Sequence, residues 1–440
     1  MGEILLKQPG LMTRAQRAFL KDGSTTQCLN TALNVLEDFQ VKRKKNKKSQ
    51  LFMLAYDQVK AYDCVQAYTI RVSLERFNLP ERFIDYVLSN LVDATSCFKT
   101  FYGPTEELAV EASVRQGDPL SPLIYICITD PLHEGLRSNP LYENCKTGYR
   151  FSNDSSLIVS SLGYADDTLT FCDTWREQWM MNEWVRGFFC QAHFFKINAA
   201  KSKYIISDYQ GPRNTRWLFS VDGKDKIKPM SSSQPFRCLG LWFSMDLDWS
   251  YQIRILNKYV MDWRWKAQAA KVDPAQLKTS VMDFLLSRME IGLAHAQITE
   301  KMCDAWTATI VHTICKGMST VVSLNRKAFC LLAGIPDIWM RMQTSRITEF
   351  LVNLNTRYCL CGRTTIARFC SVMGFVAKDA DRAIVALQDK QSLNIRQGCR
   401  LTSTLQYMKK IELVLVNKFE GDKTPLTLVE GIRHVLERTR

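Results

Sequence analysis

Three short stretches, far apart in the chain, carry carboxylates and partner groups in a pattern that nucleotidyl transfer demands. They are LAYDQVKAYD over 54–63, RQGDPLSP over 115–122 and YADD over 164–167. Extending a primer 3′ end takes two divalent cations held roughly 3.5–4 Å apart, one at the attacking oxygen and one at the leaving oxygen. Hard cations of that kind take one or two carboxylates each and fill the remaining positions with water and substrate phosphate. An Asp ending an apolar strand (Asp57) and an Asp pair at a hairpin tip (Asp166, Asp167) supply them economically. Taken singly, each reads first as an ordinary strand-end or turn aspartate. As a pair, Asp166 and Asp167 repel one another, a cost that a bound dication removes.

The flanking residues predict the elements that hold these groups. Residues 51–56 (LFMLAY) form a continuous apolar run, as expected of a strand buried on both faces, which delivers Asp57 at its end. Residues 157–172 read as strand, turn, strand, with Val159, Leu162, Leu169 and Phe171 flanking the acidic tip. Helical spacing appears over 24–40, over 62–77 through Val65, Tyr68 and Val72, after Pro80 through Phe83, Val87 and Leu91, and over 123–136. Residues 96–114 are strand-like, with a turn at Gly103-Pro104. Beyond 248 the chain turns helical: Ile253, Leu256, Val260 and Trp263 share a face. Asp273 caps and Pro274 starts a helix with Leu277, Val281, Phe284 and Leu285 inward, and Thr299 caps another. The Gly-, Pro- and Ser-rich stretch 208–235 is a candidate loop or boundary.

Composition sets outer bounds. The 440 residues are 46% apolar, enough for two or three packed domains, and the net charge of +14 favours a polyanionic partner. Lys42 to Lys48 place six positive charges in seven residues, read as a solvated, self-repelling loop, a phosphate contact or a nuclear-import signal. Fifteen cysteines are scattered without C-x-x-C spacing, so reduced thiols are expected rather than disulfides or a zinc site. No apolar run reaches the ~18 residues of a membrane span. An intracellular protein, nuclear or cytoplasmic, is the expectation.

DQVKAYD, SVRQGDPLSP, YADD, N-x-x-K-S (198–202) and CLG (238–240), in this order, resemble the reverse transcriptase domain of non-LTR, LINE-like retrotransposons. The similarity spans about residues 14 to 245. It implies an α+β fold: a right-hand polymerase palm, an antiparallel sheet with helices on one face. The implied division is partial fingers with a basic loop at 1–50, palm at 51–245, a helical thumb at 246–320 and a helical region of unknown role at 321–440. By the same resemblance Asp57, Asp166 and Asp167 hold two Mg²⁺ ions, with Mn²⁺ as a substitute. Tyr62 sits beneath the incoming sugar, or else is a palm-core tyrosine. Lys60, Arg115, Gln116 and Gly117 face the incoming nucleotide and template. Lys201 stands near the leaving pyrophosphate, or is a solvated lysine, and Leu239-Gly240 steers the primer.

The family carries a fingers segment with an Arg-containing clamp ahead of Gln16-Arg-Ala-Phe19, and here the chain starts too late to include it. Arg14, Arg17 and Lys21 are the remaining candidates for that role. The implied activity is RNA-directed DNA polymerisation, with RNA template, DNA primer and dNTP as partners. The competing expectation is a basic nucleic-acid-binding protein without turnover. Oligomeric state and template preference are not legible.

Overall fold

The computed structural model describes residues 12–13, 15–20, 23–91, 94–110, 114–115, 117–190, 192, 195–209, 211, 216–219, 225–270, 273–317, 326–355, 359–388 and 400–410. Two compact units emerge, Met1–Gln234 and Pro235–Arg440.

The first unit is built around one apolar strand. β1 (Phe52–Tyr56) is central in a five-stranded sheet. Its partners are β2 (Ser161–Tyr164), β3 (Asp167–Cys172), β4 (Lys203–Ile206) and β5 (Pro229–Ser231), in the order β2-β3-β1-β4-β5. The pairing is antiparallel except at one edge, where β5 joins β4 in parallel. The expected antiparallel sheet is present, and β5 adds one parallel edge to it. Phe52, Leu54 and Tyr56 share a core with Ile70 and Leu74 of α2 (Ala67–Arg76), Ile84 and Val87 of α3 (Glu81–Leu91), Ile124 and Ile128 of α4 (Ser121–Arg137), and Trp184 of α5 (Trp175–Trp184). Residues two apart on a strand share a face, so this side of the sheet is the helix-covered one.

Ahead of β1 runs α1 (Thr25–Lys45), whose N-cap Ser24 accepts a hydrogen bond from the Gln27 N–H at 3.2 Å. Its last turn contains Lys42 to Lys45, so the first half of the basic run is helix rather than loop. Cations there complement the negative end of the helix dipole. Lys42 is moreover tied to Asp173 at 3.0 Å and to the Arg150 carbonyl, leaving the exposed charge to Lys44, Lys45, Lys47 and Lys48.

One expected helix face and one expected turn differ. Tyr68 and Val72 point to solvent while Thr69, Ile70, Ser73 and Leu74 turn inward, because the helix begins at Ala67 and Val65, though buried, precedes it. Residues 94–110 form paired strands, but the tip is the exposed Phe101-Tyr102, with Gly103-Pro104 already in the returning strand.

The second unit opens with the hairpin β6 (Phe236–Cys238) and β7 (Leu241–Phe243), then becomes helical. α6 (Ser250–Ala270) buries Leu256, Val260 and Trp263. α7 (Pro274–Ser280) starts as expected, with Asp273 accepting from the Ala275 and Gln276 N–H groups. Phe284, expected inside, is 64% exposed. The turn Val281–Leu286 is π-helical, and its wider winding shifts the phase so that Leu286 turns inward beside the expected Val281 and Leu285, in place of Phe284. Further helices at Ser287–His295, Glu300–Gly317, Arg326–Ala333, Ile338–Asn355, Leu360–Met373, Ala380–Gln388 and Arg400–Lys410 follow.

Candidate active site

The acidic residues converge because of strand register. β1 pairs with β3 from Phe52↔Cys172 to Tyr56↔Thr168, so the next step beyond β1 brings Asp57 opposite Asp167. Opposed residues lie about 4.5–5.5 Å apart at Cβ and share one face. The β2–β3 hairpin closes at the pair Tyr164↔Asp167, leaving Ala165 and Asp166 as a two-residue loop. Ala165 carries φ +56, the positive φ that the first position of a tight hairpin turn requires. Asp166 and Asp167 are exposed and Asp57 is half-buried, so all three are open to a ligand at the C-terminal end of β1.

Gln58 ties the two stretches together. Its side-chain amide donates to the Asp166 carbonyl at 3.2 Å and accepts from the Tyr125 hydroxyl at 2.6 Å. The Tyr125 ring stacks on Tyr62, centroids 4.6 Å apart and planes 16° from parallel. Burial, reinforced by the Asp166 charge, raises the pKa of both phenols and keeps them protonated. Tyr62 is half-buried against the core of the first unit, close enough to Asp166 to feel its charge.

On the other side of Asp57 lies the loop Asn198 to Ser202. The Asn198 N–H donates to the Asp57 carbonyl at 2.8 Å, and the Asp57 N–H donates to the Ser202 hydroxyl at 3.1 Å. That hydroxyl in turn donates to the Asn198 carbonyl at 2.8 Å, and the Asn198 side chain accepts from the Lys201 N–H at 3.1 Å. Lys201 is therefore an exposed lysine on a loop bonded to both peptide groups of Asp57. Lys60 is exposed at φ +47, in a turn whose carbonyl accepts from the Asp63 and Cys64 N–H groups.

The third stretch joins through backbone. The Val114 N–H donates to the Tyr62 carbonyl at 3.0 Å, which brings the exposed Arg115 and Gly117 in beside the DQVKAYD turn. Gly117 sits at φ +94, where a side chain is strained, and a Cβ there would meet no protein atom within 4 Å. Gln116, Arg14 and Lys21 lie outside the described residues, whereas Arg17 is described and half-buried. Leu239 and Gly240 form the tip of the β6–β7 hairpin with φ +47 and +85, as a type I′ turn requires. They belong to the second unit.

The donor set suits a hard dication: carboxylate oxygens at one strand end, with room for water and phosphate oxygens. Among the described residues no group of three or more His, Cys, Asp or Glu forms a ready metal cage. An opposed carboxylate pair still meets the needs of Mg²⁺, which keeps most of its water. Four residues that position the site, Gln16, Gln58, Tyr125 and Ser202, escaped the sequence reading. Gln58 and Ser202 had a signal only as letters of the motifs DQVKAYD and N-x-x-K-S.

Residues 3–243 match the family model for reverse transcriptase (RNA-dependent DNA polymerase), and the chain belongs to that family. Among its relatives is the Pol polyprotein of the type-1 retrotransposable element R2 of Popillia japonica, 24% identical over 274 residues, covering 61% of this chain and 36% of the relative. The Pol polyprotein of the type-2 element R2DM of Drosophila melanogaster is 27% identical over 159 residues, 36% of this chain and 14% of the relative. The chain thus spans little more than a third of the first relative's length. A solved telomerase from Candida tropicalis, in complex with a TWJ fragment of telomeric RNA, overlaps 94% of this chain and 55% of its own at 14% identity and TM-score 0.43. The family match makes this a reverse transcriptase domain, and the relatives it resembles are Pol polyproteins of R2 retrotransposable elements. No helix among the described residues is long and apolar enough to cross a membrane.

Proposed function

We propose that this chain is an RNA-directed DNA polymerase of a non-LTR retroelement, adding dNTPs to a primer 3′-OH on an RNA template. The observation that carries the reading is the register of β1 against β3, which sets Asp57 opposite Asp167 beside the Asp166 loop. Asp57, Asp166 and Asp167 would hold two Mg²⁺ ions, which supply charge neutralisation at the attacking and leaving oxygens. Tyr62, braced by Tyr125, offers a fixed aromatic surface next to the carboxylates on which a nucleotide sugar can rest. Lys201 would neutralise or protonate the departing pyrophosphate, and Arg115 and Lys60 would pair with incoming phosphates. Gly117 leaves an open surface for a template backbone. The Leu239-Gly240 turn steers the primer end, with residues 246–320 acting as thumb and a basic surface carrying template and primer.

The deciding assay is dTTP incorporation on poly(rA)/oligo(dT) with Mg²⁺. Wild type should extend the primer and Asp166→Ala should not. A wild type without activity, or an Asp166→Ala variant of equal rate, rejects the reading.

A further inference from the structure

Gln16 is fully buried in a short segment that has almost no secondary structure of its own. The segment runs along β2, the outer strand of the sheet, and bonds to it as a parallel neighbour. The Gly163 N–H donates to the Ala15 carbonyl and the Arg17 N–H to the Gly163 carbonyl, each at 3.0 Å. Upstream, the Thr13 N–H donates to the buried Asp130 carboxylate at 2.7 Å, and Arg76 pairs with the same carboxylate. The strip is thus anchored at two places before its side chains are considered.

From there the Gln16 side chain reaches the hairpin tip. Its Nε2 donates to the Ala165 carbonyl at 3.1 Å, and its Oε1 accepts from the Ala165 N–H at 3.2 Å. Both peptide groups of one residue are therefore held by one primary amide. The same Oε1 also accepts from the Arg17 and Ala18 N–H groups at 3.0 and 3.1 Å, which fixes the amide in place. Ala165 is the residue that most needs holding. Its φ of +56 is costly for any residue with a Cβ, and such a conformation persists only where its surroundings over-determine it. The next two residues are Asp166 and Asp167. Gly163 makes room for the contact: a Cβ there would come 2.4 Å from His133 Nε2 and 3.1 Å from Gln16 Nε2.

We propose that Gln16 is a positioning residue for polymerisation: its buried amide locks Ala165 in the left-handed conformation and so fixes where Asp166 and Asp167 present their carboxylates. This rests on the function proposed above. A donor and an acceptor are needed at once, so neither an ionised Glu, which only accepts, nor Met, which scarcely does either, can replace the amide.

The test compares Gln16→Met and Gln16→Glu with Asn139→Ala. Asn139 is equally buried, and its amide likewise bridges backbone groups, the Met180 carbonyl and the Leu141 N–H, without bonding to the acidic tip. Three readouts are taken on each protein: the melting temperature, Mn²⁺ affinity by EPR titration without substrate, and steady-state primer extension as a function of Mg²⁺. Losing a group that orients metal ligands typically costs about 10–100-fold in affinity or rate. Both Gln16 variants should therefore bind Mn²⁺ at least about tenfold more weakly, with kcat reduced to match and KM for primer–template within about twofold. Asn139→Ala should melt as low as the Gln16 variants yet keep wild-type Mn²⁺ affinity. If Gln16→Met does not fold, Gln16→Asn, whose amide is one carbon short, carries the same expectation. Gln16 variants that bind Mn²⁺ and extend primer as Asn139→Ala does would reduce the residue to edge packing and overturn the inference alone. A wild type that neither binds Mn²⁺ nor extends a primer overturns the proposed function and the inference with it.

Discussion

Two buried serines flank β1 and offer a matched experiment on what holds Asp57. At the start of the strand the Ser207 hydroxyl accepts from the Leu51 N–H at 2.9 Å, and at its end the Ser202 hydroxyl accepts from the Asp57 N–H at 3.1 Å. Each Ser→Ala change strips one backbone donor of its partner. A lost hydrogen bond with a donor left unsatisfied costs about 1–3 kcal/mol, so about 2 kcal/mol is expected at each site. At about 2–4 °C per kcal/mol for a unit of this size, both variants should melt roughly 4–8 °C below wild type. Their activities should part company. Ser202→Ala also removes one of the two bonds that tie the Asn198–Ser202 loop to Asp57, leaving only the Asn198 N–H on the Asp57 carbonyl, and a displacement near 1 Å at a reacting centre can cost about a hundredfold. Single-turnover primer extension should then fall tenfold or more for Ser202→Ala and stay within about twofold of wild type for Ser207→Ala. Equal rates in the two variants would show that Asp57 is not held by this loop, and the positional argument would fail.

Two further outcomes follow from the same structure. His133 is buried and neutral, its pKa lowered to about 4 by burial, against partial opposition from the Asp130 charge. Because the folded value lies below the unfolded one, the stability is complete above about pH 6.5 and is lost as pH falls toward 4. About 2 kcal/mol should be gone by pH 5, and in melts between pH 7 and 5 His133→Gln should show a shallower decline than wild type. Leu239 holds φ +47 beside Gly240 in a type I′ turn that favours Asn-Gly. Leu239→Asn should therefore raise the melting temperature of the second unit while lowering primer extension; a loss of stability would mean that Leu239 is kept for packing.

What the sequence made legible was local. The apolar run LFMLAY, the YADD tip and the Asp273-Pro274 start each announce themselves in adjacent residues, and the structure has a strand, a hairpin and a capped helix there. Phe284 was misread because a π-helical turn breaks the regular period on which a facing argument depends. The parallel β4–β5 edge has no signal in the sequence, because nothing in either strand encodes the direction of its neighbour. Gln16 was passed over for a similar reason. Its meaning lies in bonds to a residue 149 positions away, and a lone glutamine in an irregular segment carries no pattern. The bond between Gln58 and Tyr125, across 67 positions, was illegible on the same grounds.

The central claim is that Asp57 and Asp166 serve one site, and a double-mutant cycle tests it most directly. Single-turnover dTTP incorporation on poly(rA)/oligo(dT) would be measured for wild type, Asp57→Asn, Asp166→Asn and the double variant. Groups that act as a unit are grossly non-additive, so each single change should cost nearly as much as both together. Independent, multiplicative losses, or a single variant with wild-type rate, would contradict a shared site.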